Sequence, residues 1–558
     1  MNRSRVSASI AIMAGVAALC GGVAIAADQT SLAASTAIDG PVLTFDWPAI
    51  EVGVGSYEEG PTGVTVIRFP KRVSMAVDVR GGGPGTVNTD LLRLGYSRPF
   101  GDAIVFSGGS AYGEEAITAV ATGLKDDGAR SGDFLDVAIV SGAIIYDFGG
   151  RRLNEIYPDK RLAQAALRAV RPGVFPLGAQ GAGRMATQGS YFGCDAHSGQ
   201  GGAFRQIGAV KIAAFTVVNA YGAVTDRAGK LVACNKPKSW GNLTMTSELL
   251  RNLPQSLNAN WDAAAANPAP DAGGTRNTTV SLIVTNQKLD PVSLQRMAVQ
   301  VHTSMARAIQ PFSTSQDGDT LYAASTQEID SELTPLTLMT IAGETMWDAV
   351  LASVPDNAVS ARPPEKHASV STDKLASYAG TYEFGSAAAG GFGGLGLHVR
   401  IEDGQVKVVP IAGLAGARAG ILAGDVVTRI DGAPLKGVPI NGVLGSMRGV
   451  PGSKAVLTIV RNGQDHPVDI PVVREMVAQR VQLRVKPESG SLSVEAIGRR
   501  LFGFEGSRPT PVLPLSDIEF YADGRSPTRI AFTVDAAGKV SGAVLNPGRW
   551  EQKGVKID

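Results

Sequence analysis

The chain has 558 residues, and its 52 Lys+Arg nearly cancel its 51 Asp+Glu. That length allows about three domains, and a balanced charge without a basic stripe excludes nucleic acid as an expected partner. Three cysteines and five histidines form no cluster with zinc-ligand spacing, so neither a metal nor another cofactor is expected.

Residues 1–27 read as a secretory signal, with 1–26 removed: Arg3 and Arg5 lead, an apolar stretch runs from Ile10 to Leu19, and Ala24-Ile25-Ala26 precedes Asp28. The apolar run is shorter than the roughly 20 residues that span a bilayer. A secreted or periplasmic protein with no membrane span is expected. Cys20 follows Leu19 rather than a small residue, makes a poor lipobox, and would leave with the signal. Cys194 and Cys234 then remain, as one disulfide or as two buried thiols.

Strand-like runs at Val64–Phe69, Ala103–Ser107, Val210–Val218 and Thr278–Thr285 alternate with apolar spacing that predicts helices over Gly113–Leu124, Leu162–Val170, Pro291–Ile309 and Leu336–Val354. Gly81-Gly82-Gly83-Pro84-Gly85 is followed by no Gly-Lys-Ser/Thr and reads as a turn, not a phosphate loop. His197 and His302 have no triad context and no Gly-x-Ser-x-Gly elbow is present, which argues against a His-dependent serine hydrolase.

Asn277-Thr278-Thr279-Val280, between the Ala/Pro/Gly-rich run Trp261–Arg276 and a strand-like run, has the form of a self-processing site. A threonine hydroxyl is a poor nucleophile, but at a new N-terminus its own α-amine serves as the general base. That amine has a pKa of roughly 7.7–8, so it can accept a proton near neutral pH. Asn-Thr-Thr also fits an N-glycosylation sequon, as does Asn242-Leu243-Thr244.

Six separated blocks carry a resemblance. They are Asp78-Val79-Arg80-Gly81-Gly82-Gly83-Pro84-Gly85-Thr86 with Thr89-Asp90-Leu91-Leu92; Ser107-Gly108-Gly109-Ser110-Ala111-Tyr112-Gly113; Gly181-Ala182-Gly183 with Ala186-Thr187; Val217-Val218-Asn219-Ala220-Tyr221-Gly222; Asn277-Thr278-Thr279; and Asp317-Gly318-Asp319-Thr320. In this order, over residues 40–355, they resemble the L-aminopeptidase/D-amidase/esterase family, which includes β-aminopeptidases and a nylon-oligomer hydrolase. The resemblance implies an α/β fold, an αββα sandwich of the N-terminal-nucleophile-hydrolase type, cut between Asn277 and Thr278 and assembled as a homo-oligomer of αβ units. It makes Thr278 the nucleophile, Asn219 the holder of the oxyanion, Tyr146 an active-site tyrosine, and Asp317 with Asp319 the carboxylate pair of the nylon-hydrolase branch. Two positions depart from the pattern. Ile144 stands where β-aminopeptidases place a glutamate that holds the substrate amine, and Ser190 replaces a lysine of the hydrolase branch. Arg184 and His197 are alternatives to that lysine, although both read as exposed loop residues.

Residues 356–372 are polar, contain Pro363-Pro364, and read as a linker. Leu375–Glu383 resembles the opening strand of a small lipocalin-like β-domain, assigned to 373–385 with 476–558. Its closing strands are expected at Asp517–Tyr521, Arg529–Val534 and Lys539–Leu545, with Ile530, Phe532 and Val534 on one buried face. The insert, 386–475, resembles a PDZ domain in Ala419–Val427 and Ile430-Asp431-Gly432. Gly394, Leu395, Gly396 and Leu397 resemble its carboxylate-binding loop and would receive a peptide C-terminus. The expected protein is an exported, autoprocessed N-terminal-threonine hydrolase of peptide or small amide substrates, foremost an aminopeptidase. The alternatives are a PDZ-containing peptide-binding protein on an inactive hydrolase fold, and an amidase for non-peptide amide oligomers.

Overall fold

The computed structural model describes residues 32–558 except 97–98, 132, 134–135, 149–150, 152–153, 237–240, 253–276, 331, 355–358, 362–367, 385–390, 403, 412, 450–451, 462–463, 465, 479–480, 498–503, 505–508, 523–527, 536 and 549–550. The expected signal, the Trp261–Arg276 run and much of the linker therefore lie outside the described residues. Among those described, no helix is long and apolar enough to cross a membrane.

A ten-stranded sheet organises the N-terminal half. Its long strand, Thr62–Val79, pairs through its first part with Glu51–Tyr57 and Phe100–Ser107 and through its last part with Thr320–Ile329, the register shifting between Arg68 and Val73. On one side Phe100–Ser107 lies parallel to Val140–Ile144. On the other, Thr320–Ile329 lies parallel to Thr278–Gln287, which pairs antiparallel with Val210–Asn219. Period-two alternation sorts the side chains into layers. Ala213, Phe215, Val217, Val280, Leu282 and Val284 share a core with Val52, Ile67, Ile104 and Phe106, between the two halves of the sheet. Ile212, Ala214, Val218 and Ile283 belong to the opposite face, under helices Pro291–Ser304 and Pro335–Ala352. Val64, Val66, Ala103 and Val105 pack beneath helices Glu114–Asp126 and Lys160–Arg168. The order is helix, sheet, sheet, helix, and the fold class is α/β.

Helix starts follow from capping. Asp290 accepts the Val292 and Ser293 N–H groups ahead of Pro291, and Thr334 accepts the Thr337 N–H ahead of Pro335. The expected Pro291–Ile309 helix stops at Ser304, and after a short 3-10 turn Ile309–Gln310 is drawn into pairing with Ala223–Val224.

Eight antiparallel strands close a small barrel, because Gly380–Phe384 pairs with both Val481–Glu488 and Gln552–Lys556. Tyr378 stacks on Phe532 in its core, ring centroids 4.2 Å apart. Two expectations are corrected here. Leu375–Ser377 is not strand but the end of a helix, Thr372–Ser377, capped by the Ser371 hydroxyl, which turns Leu375 into the core. Val534 is 44% exposed, unlike buried Ile530 and Phe532, because the register shifts between Thr533 and Val534 and breaks the alternation.

Gly390–Gln479 forms a compact unit of its own, entering the chain between the first two barrel strands. Its sheet runs in the order Leu397–Glu402, Gln405–Pro410, Asp425–Ile430, Lys454–Val460, Val468–Val473, with helices Ala415–Arg418 and Ile440–Met447.

Candidate active site

Thr278 opens a strand whose ten residues are all buried, as a β-branched and aliphatic run covered on both faces should be. Its antiparallel neighbour ends at Asn219, in register with Thr278, and its parallel neighbour begins at Thr320, opposite Val280. One strand ending and another starting beside Thr278 delivers Asn219 and the Asp317–Asp319 turn to the same place.

The Thr278 hydroxyl donates to the carbonyl oxygen of Asn277 at 2.6 Å, and the same oxygen accepts the Gly318 N–H at 2.8 Å. The hydroxyl thus rests on the carbonyl group it would attack, with a backbone donor on the oxygen that would take the negative charge. A Cβ at Gly318 would stand 2.7 Å from Thr278 Oγ1 and 2.7 Å from the Gly83 oxygen. Asn277 is 4% exposed. The glycosylation alternative at this residue therefore fails in the folded chain, since a glycan needs an accessible side chain.

Asp319 is buried; Oδ1 accepts the Thr279 N–H at 2.6 Å and Oδ2 the Ser313 N–H at 3.0 Å. Burial, and after it the neighbouring Asp317, push its carboxyl up to about 7. Asp317 is anchored differently. Its Oδ1 accepts the Tyr221 N–H at 3.0 Å, and its Oδ2 accepts both the N–H and the hydroxyl of Thr314, at 3.1 and 2.6 Å. Asp317 ties the acidic turn to the loop after Asn219, whereas Asp319 holds a proton that can leave near neutral pH.

Asn219 Oδ1 accepts the Thr187 N–H at 3.0 Å, and Nδ2 donates to the Tyr146 carbonyl at 2.9 Å. Tyr146 therefore enters the site by its backbone, while its ring packs on Phe148 at 5.2 Å between centroids. Ser190 donates its hydroxyl to Asp195, in a loop joined to the Asn235 segment by the Cys194–Cys234 disulfide, Cα atoms 5.2 Å apart. Arg184 is not the exposed loop residue expected: it is 7% exposed and its Nη2 lies 2.8 Å from Glu58. His197 is partly buried, and burial followed by the Arg184 charge pushes its imidazole down to about 3, so it is neutral at physiological pH.

The glycine run does more than turn. Arg80 and Gly81 donate their N–H groups to the Asp319 carbonyl at 3.1 and 3.2 Å, Gly82 donates to Thr314 at 3.2 Å, and Gly83 donates to Asp317 at 2.8 Å. A Cβ at Gly81 would stand 2.1 Å from the Asp319 nitrogen, so the acidic turn lies on a bed of bare backbone.

In the separate Gly390–Gln479 unit, Gly394 pairs with Glu475, and Leu397 begins a strand at the edge of its sheet. The carbonyls of Leu395 and Gly396 accept the Gly416 and Ile411 N–H groups at 2.8 and 2.9 Å.

The model of peptidase family S58 matches residues 44–362. The chain belongs to that family, and it is a hydrolase of the peptidase and amidase class. It is similar to the 6-aminohexanoate-oligomer endohydrolase of Paenarthrobacter ureafaciens, 42% identical over 322 residues that cover 56% of this chain and 85% of the relative. An uncharacterized aminopeptidase of Mycobacterium bovis is 32% identical over 315 residues, 54% of this chain and 86% of its own. Among solved structures, the L-aminopeptidase D-Ala-esterase/amidase of Ochrobactrum anthropi, described as a variant of the Ntn hydrolase fold, aligns over 57% of this chain and 88% of its own, with 18% identity and a TM-score of 0.40.

Proposed function

We propose that the protein is a self-processing amide hydrolase whose nucleophile is Thr278. The observation that carries this reading is the Thr278 hydroxyl at 2.6 Å from the Asn277 oxygen, with the Gly318 N–H on that oxygen. The hydroxyl oxygen attacks the Asn277 carbonyl carbon, its proton passes to Asp319, and the oxyanion is held by Gly318. The Asn277–Thr278 C–N bond then breaks with that proton returned to the nitrogen, leaving a free Thr278 amine and an ester that water hydrolyses to an Asn277 carboxylate and the regenerated Thr278 hydroxyl. In the cut protein that amine takes the proton from the hydroxyl as Thr278 attacks a substrate amide, Asn219 Nδ2 supports the oxyanion, and water releases the acyl group. A denaturing gel with N-terminal sequencing tests this. The expected result is a fragment beginning at Thr278, with Thr278→Ala remaining one chain; efficient cutting of the alanine variant sinks the reading.

Substrates are peptides or short amide oligomers, and one observation favours bonds that lack a neighbouring free amine. Ile144, 5% exposed, presents hydrocarbon where an ammonium-binding carboxylate would stand, packed so that a Cβ at Gly85 would meet it at 2.6 Å. Turnover of an anilide and its N-acetylated counterpart should agree within about tenfold; a hundredfold preference for the free amine would restore the aminopeptidase reading. Export is supported by the Cys194–Cys234 disulfide, which suits an oxidising compartment. The Gly390–Gln479 unit would capture a peptide C-terminus at Gly394–Leu397.

A further inference from the structure

We propose that the C-terminal barrel braces the oxyanion-holding Asn219 through Met185, making Met185 a positioning residue of the hydrolytic site. This rests on the Thr278 reading above. Met185 comes from the N-terminal half of the chain, yet its buried side chain belongs to the apolar core of the barrel, with Leu375, Tyr378, Leu483 and Phe532. Two residues on, the Thr187 N–H holds Asn219 Oδ1 at 3.0 Å. The link between them has little slack. Ala186 donates its N–H to Gly183 at 3.2 Å and accepts the Ser198 N–H at 3.0 Å, and Thr187 pairs with His197. On the other flank Arg184 is fixed by Glu58 at 2.8 Å, and its charge also acts on Glu551 of the barrel.

An oxyanion donor is effective only when held in place before charge develops, and a displacement of about 1 Å costs roughly 100-fold in rate. A barrel that grips Met185 fixes the strand that fixes Asn219. The family match ends at residue 362 and the barrel begins at Gly380, so the brace lies outside the matched segment and is an addition to it.

The test uses the full chain carrying Met185→Ala, Met185→Leu or, from the barrel side, Leu375→Ala. Rates on a small chromogenic amide are expressed per Thr278-terminated molecule. Met185→Ala should lower kcat roughly tenfold with KM unchanged within about twofold. Met185→Leu, similar in volume, should restore kcat, and Leu375→Ala should lower kcat with the same split. An unchanged kcat in Met185→Ala, an equal loss in Met185→Leu, or a full kcat in Leu375→Ala each overturns the brace. Should Met185→Ala not fold, Leu375→Ala and Met185→Leu carry the same decision. Hydrolysis surviving in Thr278→Ala would instead remove the nucleophile reading, whatever Met185 does.

Discussion

Asp317 and Asp319 lie two residues apart in one turn, but their surroundings give them different work. Asp319 is pushed up to about 7 by burial and by the charge of Asp317, so it is protonated below that pH and ionised above it. In the uncut chain no Thr278 amine exists to titrate. Self-cleavage of precursor purified at about pH 5 should therefore accelerate as pH rises through about 7 and then level off. Asp319→Asn should abolish the rise and slow cutting by roughly 100-fold or more, whereas Asp317→Asn removes the neighbouring charge and should move the inflection to lower pH. A rise that persists in Asp319→Asn would remove that residue as the proton acceptor. Gly318→Ala should leave the chain uncut on a gel, because its Cβ would fall 2.7 Å from the nucleophile. At this scale the convergence of these residues was legible in the sequence: Thr278, Asn219, Asp317 and Asp319 each stand in a motif, and the fold brings them to one place. The Gly318 and Thr187 N–H groups were not legible, since nearly every residue carries that donor and only tertiary pairing decides which one is used.

Elements hold the site together by pairing and cross-linking. The loop carrying Gly189 and Tyr191 donates N–H groups to Gly222 and Tyr221 at 2.8 Å, and the Tyr221 N–H in turn holds Asp317. The Cys194–Cys234 bridge closes this region across a sequence separation of 40, which should stabilise the fold by about 3–4 kcal/mol through the unfolded state. Paired Cys194→Ser and Cys234→Ser substitutions, or reductant on the wild type, should lower the melting temperature by several degrees. No change with either would show that the bridge does not form in solution. Strands covered on both faces, such as Val210–Asn219, were readable because such burial imposes a nearly unbroken apolar run. Val534 and Ile309 depart from the local pattern for one reason: a register shift and a two-residue pairing are decided by a partner strand, and neither leaves a mark in the local sequence.

At the scale of the whole chain, two compact units differ in what they present to a ligand. The larger, Gln29–Ala389 with Arg480–Asp558, holds the buried Thr278 centre; the smaller, Gly390–Gln479, presents an edge strand. That strand, Leu397–Glu402, pairs on one side with Gln405–Pro410 and ends the sheet on the other, so a peptide can add a further strand there. The preceding Leu395 and Gly396 place their carbonyls on Gly416 and Ile411, and their N–H groups donate to no described residue. Gly396 has φ +67°, a conformation that glycine reaches without strain. N–H groups that donate to no described residue, at the head of an edge strand, suit a terminal carboxylate, and Leu397 supplies apolar surface beside it. In the full-length protein, isothermal titration should then detect peptides with a free C-terminal carboxylate and lose them on amidation. Leu397→Asp, by placing a negative charge against the ligand's own, should weaken binding at least tenfold, while Thr278-dependent hydrolysis of a small amide stays within about twofold of wild type. Equal binding of amidated and free peptides would show that the edge strand, and not the Gly394–Leu397 loop, makes the contact. Hydrolysis that falls together with binding would show that peptide capture and catalysis are coupled and are not two independent sites.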